Sequence, residues 1–168
     1  MLGAEAWKLN CQKAAERIYQ KYQVSSNIRR HCEKVAQVAD EIACLLVKKG
    51  YQIDREIVYR SALFHDIARR YPQHPKVASE WLEIEGFTLE AEIVLEHHEL
   101  KNTAKISEKE IVFLADKYVQ EAKKVNLEKR FQDSLKKCRT QSALQKHQEY
   151  YEQAVQIERM LYTAPTIY

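Results

Sequence analysis

The chain has 168 residues, 45% hydrophobic and 30% charged, a balance that suits one globular unit with its own core and excludes wholesale disorder. Gly and Pro number only three each, too few for the turns of a sheet-rich fold, so long helices with few breaks are expected. The formal net charge of +3 arises from interspersed charges and is too weak to point to nucleic acid.

In chain order, a first helix is predicted over residues 4–22. A second follows Ser25-Ser26, with Ile28, Val35, Val38, Ile42 and Leu45 as one apolar stripe, and ends at Gly50, a natural residue just past a helix C-terminus. A third starts after Asp54, carries Ile57, Val58, Ala62, Leu63 and Phe64, and runs to just before Pro72. A fourth has Pro75 in its first turn, Val77, Ala78, Trp81 and Leu82 on its inner face, and Gly86 at its end. A fifth begins at Thr88 with Leu89, Ile93 and Val94. A sixth opens on Ser107-Glu108-Lys109-Glu110, a capping box, and carries Ile111, Val112, Leu114, Ala115 and Val119. Two more are predicted over 127–137 and 141–162. The expected fold is all-α, a single helical domain of seven to eight helices over residues 1–168, with a core at about 26–122 and C-terminal helices over 127–163.

The longest apolar run, residues 42–47, falls far short of the roughly 20 residues a membrane span needs. The first residues show no basic stretch followed by an apolar one, so no secretory signal is expected. Cys11, Cys32, Cys44 and Cys138 are widely spaced and form no CxxC pair, which fits free thiols and a cytoplasmic location.

The informative residues are polar ones on apolar stripes, because burying an ionisable group is costly unless a partner or a metal compensates. His31 lies four before Val35 and seven before Val38. His65 lies three after Ala62, with Asp66 beside it. His97 lies three after Val94, and Asp116 lies four after Val112. His74 sits at the start of the fourth helix. One inward His is most often a hydrogen-bonded core residue; four helices aiming His or Asp inward suit a metal site. His147, in Gln-Lys-His-Gln-Glu, is read as a solvated helix position.

The ordered set of His31, then His65-Asp66 within Leu63-Phe64-His65-Asp66-Ile67-Ala68-Arg69, then His74, His97-His98, and Asp116 in Leu114-Ala115-Asp116-Lys117, resembles the HD-domain metal-dependent phosphohydrolase superfamily. The resemblance covers residues 28–122 and is nearest to small stand-alone HD hydrolases. The Gly-Tyr-Pro motif of the cyclic-dinucleotide phosphodiesterase branch is replaced by Glu99-Leu100-Lys101. The resemblance implies an HD-type helical bundle holding one or two divalent ions, drawn from Fe, Mn, Co, Ni or Zn. His31, His65, Asp66 and Asp116 would hold the first ion. Asp66 would bridge to a second held by His74 and His97, with His98 the alternative to His97. Asp66, Arg69 and Asp116 carry the implied catalytic roles: a metal-activated hydroxide attacks phosphorus while Arg69, with Lys117 as a further candidate, holds the phosphate.

The implied partner is a small phosphorylated substrate of the nucleotide class, with no membrane and no nucleic acid. A second reading is a metal-binding regulatory or ligand-binding HD domain with little turnover. A third is an interaction module, such as a homodimer, built on the tail residues Tyr150, Tyr151, Val155, Ile157, Met160, Leu161 and Tyr162. Packing of that tail on its own domain is the favoured expectation over dimer formation.

Overall fold

In the computed structural model, residues 6–167 are described. Eight helices are present among them: α1 (Ala6–Lys21), α2 (Ser26–Lys48), α3 (Arg55–Phe64), α4 (His74–Ile84), α5 (Thr88–Leu95), α6 (Glu108–Lys117), α7 (Leu127–Leu135) and α8 (Gln141–Thr163). The start of the first predicted helix, at Ala4 and Glu5, lies outside the described residues. No helix among them is long and apolar enough to cross a membrane.

Local chemistry sets several helix ends. The Asp54 carboxylate accepts from Ile57 N at 3.0 Å, Asn126 Oδ1 from Lys129 N at 2.8 Å, and Thr140 Oγ1 from Ala143 N at 3.1 Å. The expected capping box is formed, with Glu110 Oε2 accepting from Ser107 N at 2.9 Å. Gly50 ends α2 at φ +93°, and a Cβ there would lie 2.2 Å from the carbonyl oxygen of Ile167, so the chain's C-terminal segment closes over a residue that only glycine can be.

The longest buried stripe belongs to α2 and includes Cys32, Val35, Val38, Ala39, Ile42 and Leu46. It packs along α3 and α6, while α1 and α5 cover other faces of α3. Leu45, expected on this stripe, is 46% exposed; the 3.6-residue pitch rotates the buried line onto Leu46. Leu89 is likewise exposed. Buried polar ties lock the layers: Tyr19 donates its hydroxyl to Leu63 O at 2.7 Å, joining α1 to α3, and Arg60 ties α3 to the buried Glu90 of α5.

Two predicted boundaries are corrected. The third helix stops at Phe64 and does not reach Pro72. Beyond it the backbone tightens into i to i−3 bonds, Arg69 N to Asp66 O at 2.9 Å and Tyr71 N to Ala68 O at 2.8 Å. The sixth helix ends at Lys117, and Val119 belongs to a short antiparallel hairpin of β1 (Val119–Gln120) and β2 (Lys123–Lys124). Its turn puts Glu121 at φ +56°, a left-handed conformation for a residue with a side chain.

The C-terminal helices α7 and α8 pack on each other, and α8 also rests on α6. Ala154, Ile157 and Leu161 are buried there, and the Tyr151 ring packs tilted against Phe131 at 5.0 Å between centroids, so most of the aromatic tail packs on its own chain; Tyr162 stays exposed. His147 is not a solvated position. It is half-buried between α7 and α8, with Nε2 2.8 Å from Ser134 Oγ and 3.0 Å from Phe131 O. All four cysteines are free.

Candidate metal centre

Five stretches of chain meet at one point. α2 supplies His31. The tight turn after α3 supplies His65, Asp66 and Arg69. The first turn of α4 supplies His74, entered through Gln73 at φ +54°. The turn after α5 supplies His97 and His98, and the last turn of α6 supplies Asp116 and Lys117. Early termination of α3 and α5 matters here. Each ring just past a helix end folds back, His65 Nδ1 onto Ala62 O and His97 Nδ1 onto Val94 O, both at 2.7 Å. His31 Nδ1 lies 2.6 Å from Glu121 O at the hairpin turn.

A carbonyl only accepts, so Nδ1 carries the proton in all three rings and Nε2 presents its lone pair to the interior. That second hydrogen bond is the usual way a metal-binding imidazole is oriented. The lone pairs converge on two buried carboxylates. Asp66 Oδ2 lies 3.7 Å from His31 Nε2 and 3.6 Å from His65 Nε2, while its Oδ1 lies 3.3 Å from His74 Nε2 and 3.4 Å from His97 Nε2. Asp116 Oδ1 lies 3.1 Å from His31 Nε2 and 3.4 Å from His65 Nε2. The donors thus form two groups, His31, His65 and Asp116 in one, and Asp66, His74, His97 and His98 in the other. The two oxygens of Asp66 face one group each.

These donors fit a metal. Lone pair facing lone pair in a buried space repels unless a cation lies between. Atoms bonded to one divalent ion at about 2.0–2.2 Å sit roughly 3–3.5 Å apart, the spacing found here. Among the described residues, four buried side-chain polar atoms lack a hydrogen-bond partner, and three are at this site: His65 Nε2, Asp66 Oδ1 and His97 Nε2. The fourth is Ser61 Oγ.

The electrostatics agree. Burial opposes ionisation of Asp66, but the charge of His65 and the contacts of His74 and His97 outweigh it and hold the carboxyl well below the usual range. Asp116 is also depressed against its burial, by the Lys117 ammonium and by His31 and His65. Burial works against a charged His65, yet the Asp66 carboxylate overcomes it and raises that ring's pKa well above its ordinary value. The field that attracts a proton to His65 attracts a metal cation equally. Burial lowers His97, and burial with the neighbouring His97 pushes His98 down to about 2, so these rings stay neutral, the form that ligates.

The other expected residues take distinct places. His98 Nε2 lies 3.1 Å from His74 Nε2, so His97 and His98 both belong to the second group. Arg69 places Nη1 on Asp66 Oδ2 and lines the adjoining cavity while 52% of its side chain stays exposed. Lys117 is buried over the Phe113 ring, with Nζ 2.8 Å from Asp116 Oδ2, and is absent from the cavity wall. Sequence reasoning missed the Glu121 carbonyl and the hairpin that carries it. Gln-Glu-Ala-Lys has no Gly or Asn to mark a turn, so no signal for it existed.

The HD domain family matches residues 28–120, more than half of the 168 residues. The chain belongs to the HD domain family. A protein of Methanocaldococcus jannaschii described as uncharacterized is 35% identical to this HD chain over 77 residues, covering 44% of this chain and 46% of the relative. The chain therefore spans just under half the length of that relative. No solved structure matches the chain.

Proposed function

We propose that this HD domain is a metal-dependent phosphohydrolase acting on a phosphoester or phosphoanhydride bond of a small molecule of the nucleotide class. One observation carries the proposal: the Nε2 atoms of His31, His65, His74 and His97 crowd two buried carboxylates at 3.1–3.7 Å, and His65 Nε2, Asp66 Oδ1 and His97 Nε2 lack a hydrogen-bond partner among the described residues. Membership of the family and the cavity opening beside Asp66 and Arg69 support it.

In this proposal His31, His65 and Asp116 would hold one ion and His74, His97 and His98 a second, with Asp66 available to either group. Bound ions of this kind lower the pKa of water and neutralise charge on a phosphoryl group. The chain's own residues do the rest. The Ala62, Val94 and Glu121 carbonyls fix three rings so that their Nε2 atoms need no reorganisation. The Lys117 ammonium holds Asp116 ionised. Arg69 presents its guanidinium fork at the cavity edge, where it can donate to two phosphate oxygens. Hydrolysis adds water across the P–O bond: the oxygen joins phosphorus, and one proton ends on the departing oxygen.

The test is metal content of untagged protein together with turnover on a panel of nucleotides, beside His65→Ala. Stoichiometric metal and turnover in the parent, both lost in the variant, is the expected result. Metal-free, folded parent protein purified without chelator overturns the proposal. Metal without turnover on any phosphorylated compound leaves a binding domain.

A further inference from the structure

A cavity opens beside the centre. Its volume is about 520 Å³, within the roughly 300–1,000 Å³ usual for small-ligand sites. His31, Asp66 and Arg69 of the centre line it. The start of α2, the hairpin and the α7 region add four cations, Arg30, Lys123, Arg130 and Lys137, against two acids, Glu121 and Asp133.

Among the described residues none of these four cations pairs with a carboxylate. Arg30 donates to the Asn27 side-chain carbonyl, and Arg130 Nε donates to Val119 O at 3.2 Å, which steadies its guanidinium against the hairpin. Neighbouring cations outside the cavity behave differently. Lys129 and Lys136, also from the α7 region, share Asp133 at 3.1 and 3.2 Å, and Lys124 of the hairpin pairs with Glu41 at 2.7 Å. Asp133, an acid of the cavity wall, is thereby already neutralised by lysines from outside it. Unpaired cations gathered in one cavity repel each other until an anion of matching charge arrives.

Resting on the hydrolase proposal above, we propose that this site takes substrates carrying a chain of linked phosphates. One phosphoryl group sits beside Asp66 and Arg69, and the rest of the chain lies along Arg30, Lys123, Arg130 and Lys137. A monophosphate would sit beside the centre and leave the basic wall unanswered. Among the described residues no Phe, Tyr or Trp lines the cavity, and its one lining ring, His31, is turned to the carboxylates and the hairpin. Selection therefore follows phosphate number and tolerates different bases.

The test is calorimetric titration of the metal-loaded full chain with inorganic phosphate and with the magnesium complex of tripolyphosphate, which keeps that probe from extracting the bound ions. Tripolyphosphate is expected to bind at least about tenfold more tightly, the increment of one charge-assisted hydrogen bond. In the Lys123→Gln/Lys137→Gln double variant, whose replaced side chains are exposed and unpaired, that preference should disappear with the melting temperature unchanged. Arg130→Gln should act in the same direction. Equal affinities for the two probes, or a preference intact in both variants, overturns the proposal. Turnover of a nucleoside monophosphate alongside equal affinities removes the phosphate-chain proposal and leaves the hydrolase. A retained tripolyphosphate preference without turnover of any nucleotide supports the basic wall and removes hydrolysis.

Discussion

The two donor groups are built to different standards. His31 and His65 are both buried, and each has its outer ring nitrogen tied to a carbonyl. Their partner Asp116 is held by Lys117. In the other group only His97 is tied in this way, while His74 and His98 are partly exposed and face each other across 3.1 Å. The difference teaches where rigidity comes from. Two rings, His65 and His97, take their orientation from a carbonyl exposed at a helix end, His31 takes its from the hairpin turn, and His74, which opens a helix, has no carbonyl tie.

The comparison breaks most completely at Asp66, the one side chain that faces both groups. Asp66→Asn should strip both, lowering metal content by elemental analysis to near zero and turnover by more than about 100-fold. That exceeds the roughly 10–100-fold cost of removing an outer partner of a ligand. One ion retained per chain would show that the groups are independent. A smaller loss is expected from His74→Ala, which should remove metal from the looser group alone and leave the other loaded.

Acid and base sharpen the contrast in metal-stripped protein. Asp66 and Asp116 have depressed pKa values, so their contribution to stability is complete above about pH 4 and is lost as pH falls through the folded values. His65 is raised, so its contribution is complete below about pH 6.5 and is lost as pH rises through the folded value. Melting temperature of the stripped protein should therefore peak between these limits. Metal should abolish the alkaline decline by replacing the proton on His65. An alkaline decline that persists in loaded protein would contradict that exchange. The smallest effect belongs to His98→Gln, which should weaken metal in the looser group by about tenfold or less and leave the enclosed group unaffected.

Much of this was legible in the sequence, for physical reasons that differ by residue. His31 and Asp116 stood out because each interrupts an apolar stripe of known pitch, and burial of such a group needs a reason. The capping box at Ser107 and the glycine at residue 50 announced helix ends through local chemistry alone. Less was legible where tertiary contacts decide. Nothing in Phe64-His65-Asp66-Ile67 marks a helix end, since the stop there is accompanied by His65 folding onto Ala62 O. The basic wall was also hidden. Arg30, Lys123, Arg130 and Lys137 are ordinary surface cations in sequence, and only the folded chain shows that they share a cavity and lack carboxylate partners among the described residues.

The turn at Glu121 has a consequence of its own. One peptide oxygen is both the apex of the hairpin and the rest for the His31 ring. Hairpin length and ring angle therefore cannot vary separately: adding or deleting a residue in this loop would shift a histidine of the donor cluster, however tolerant the surface around it.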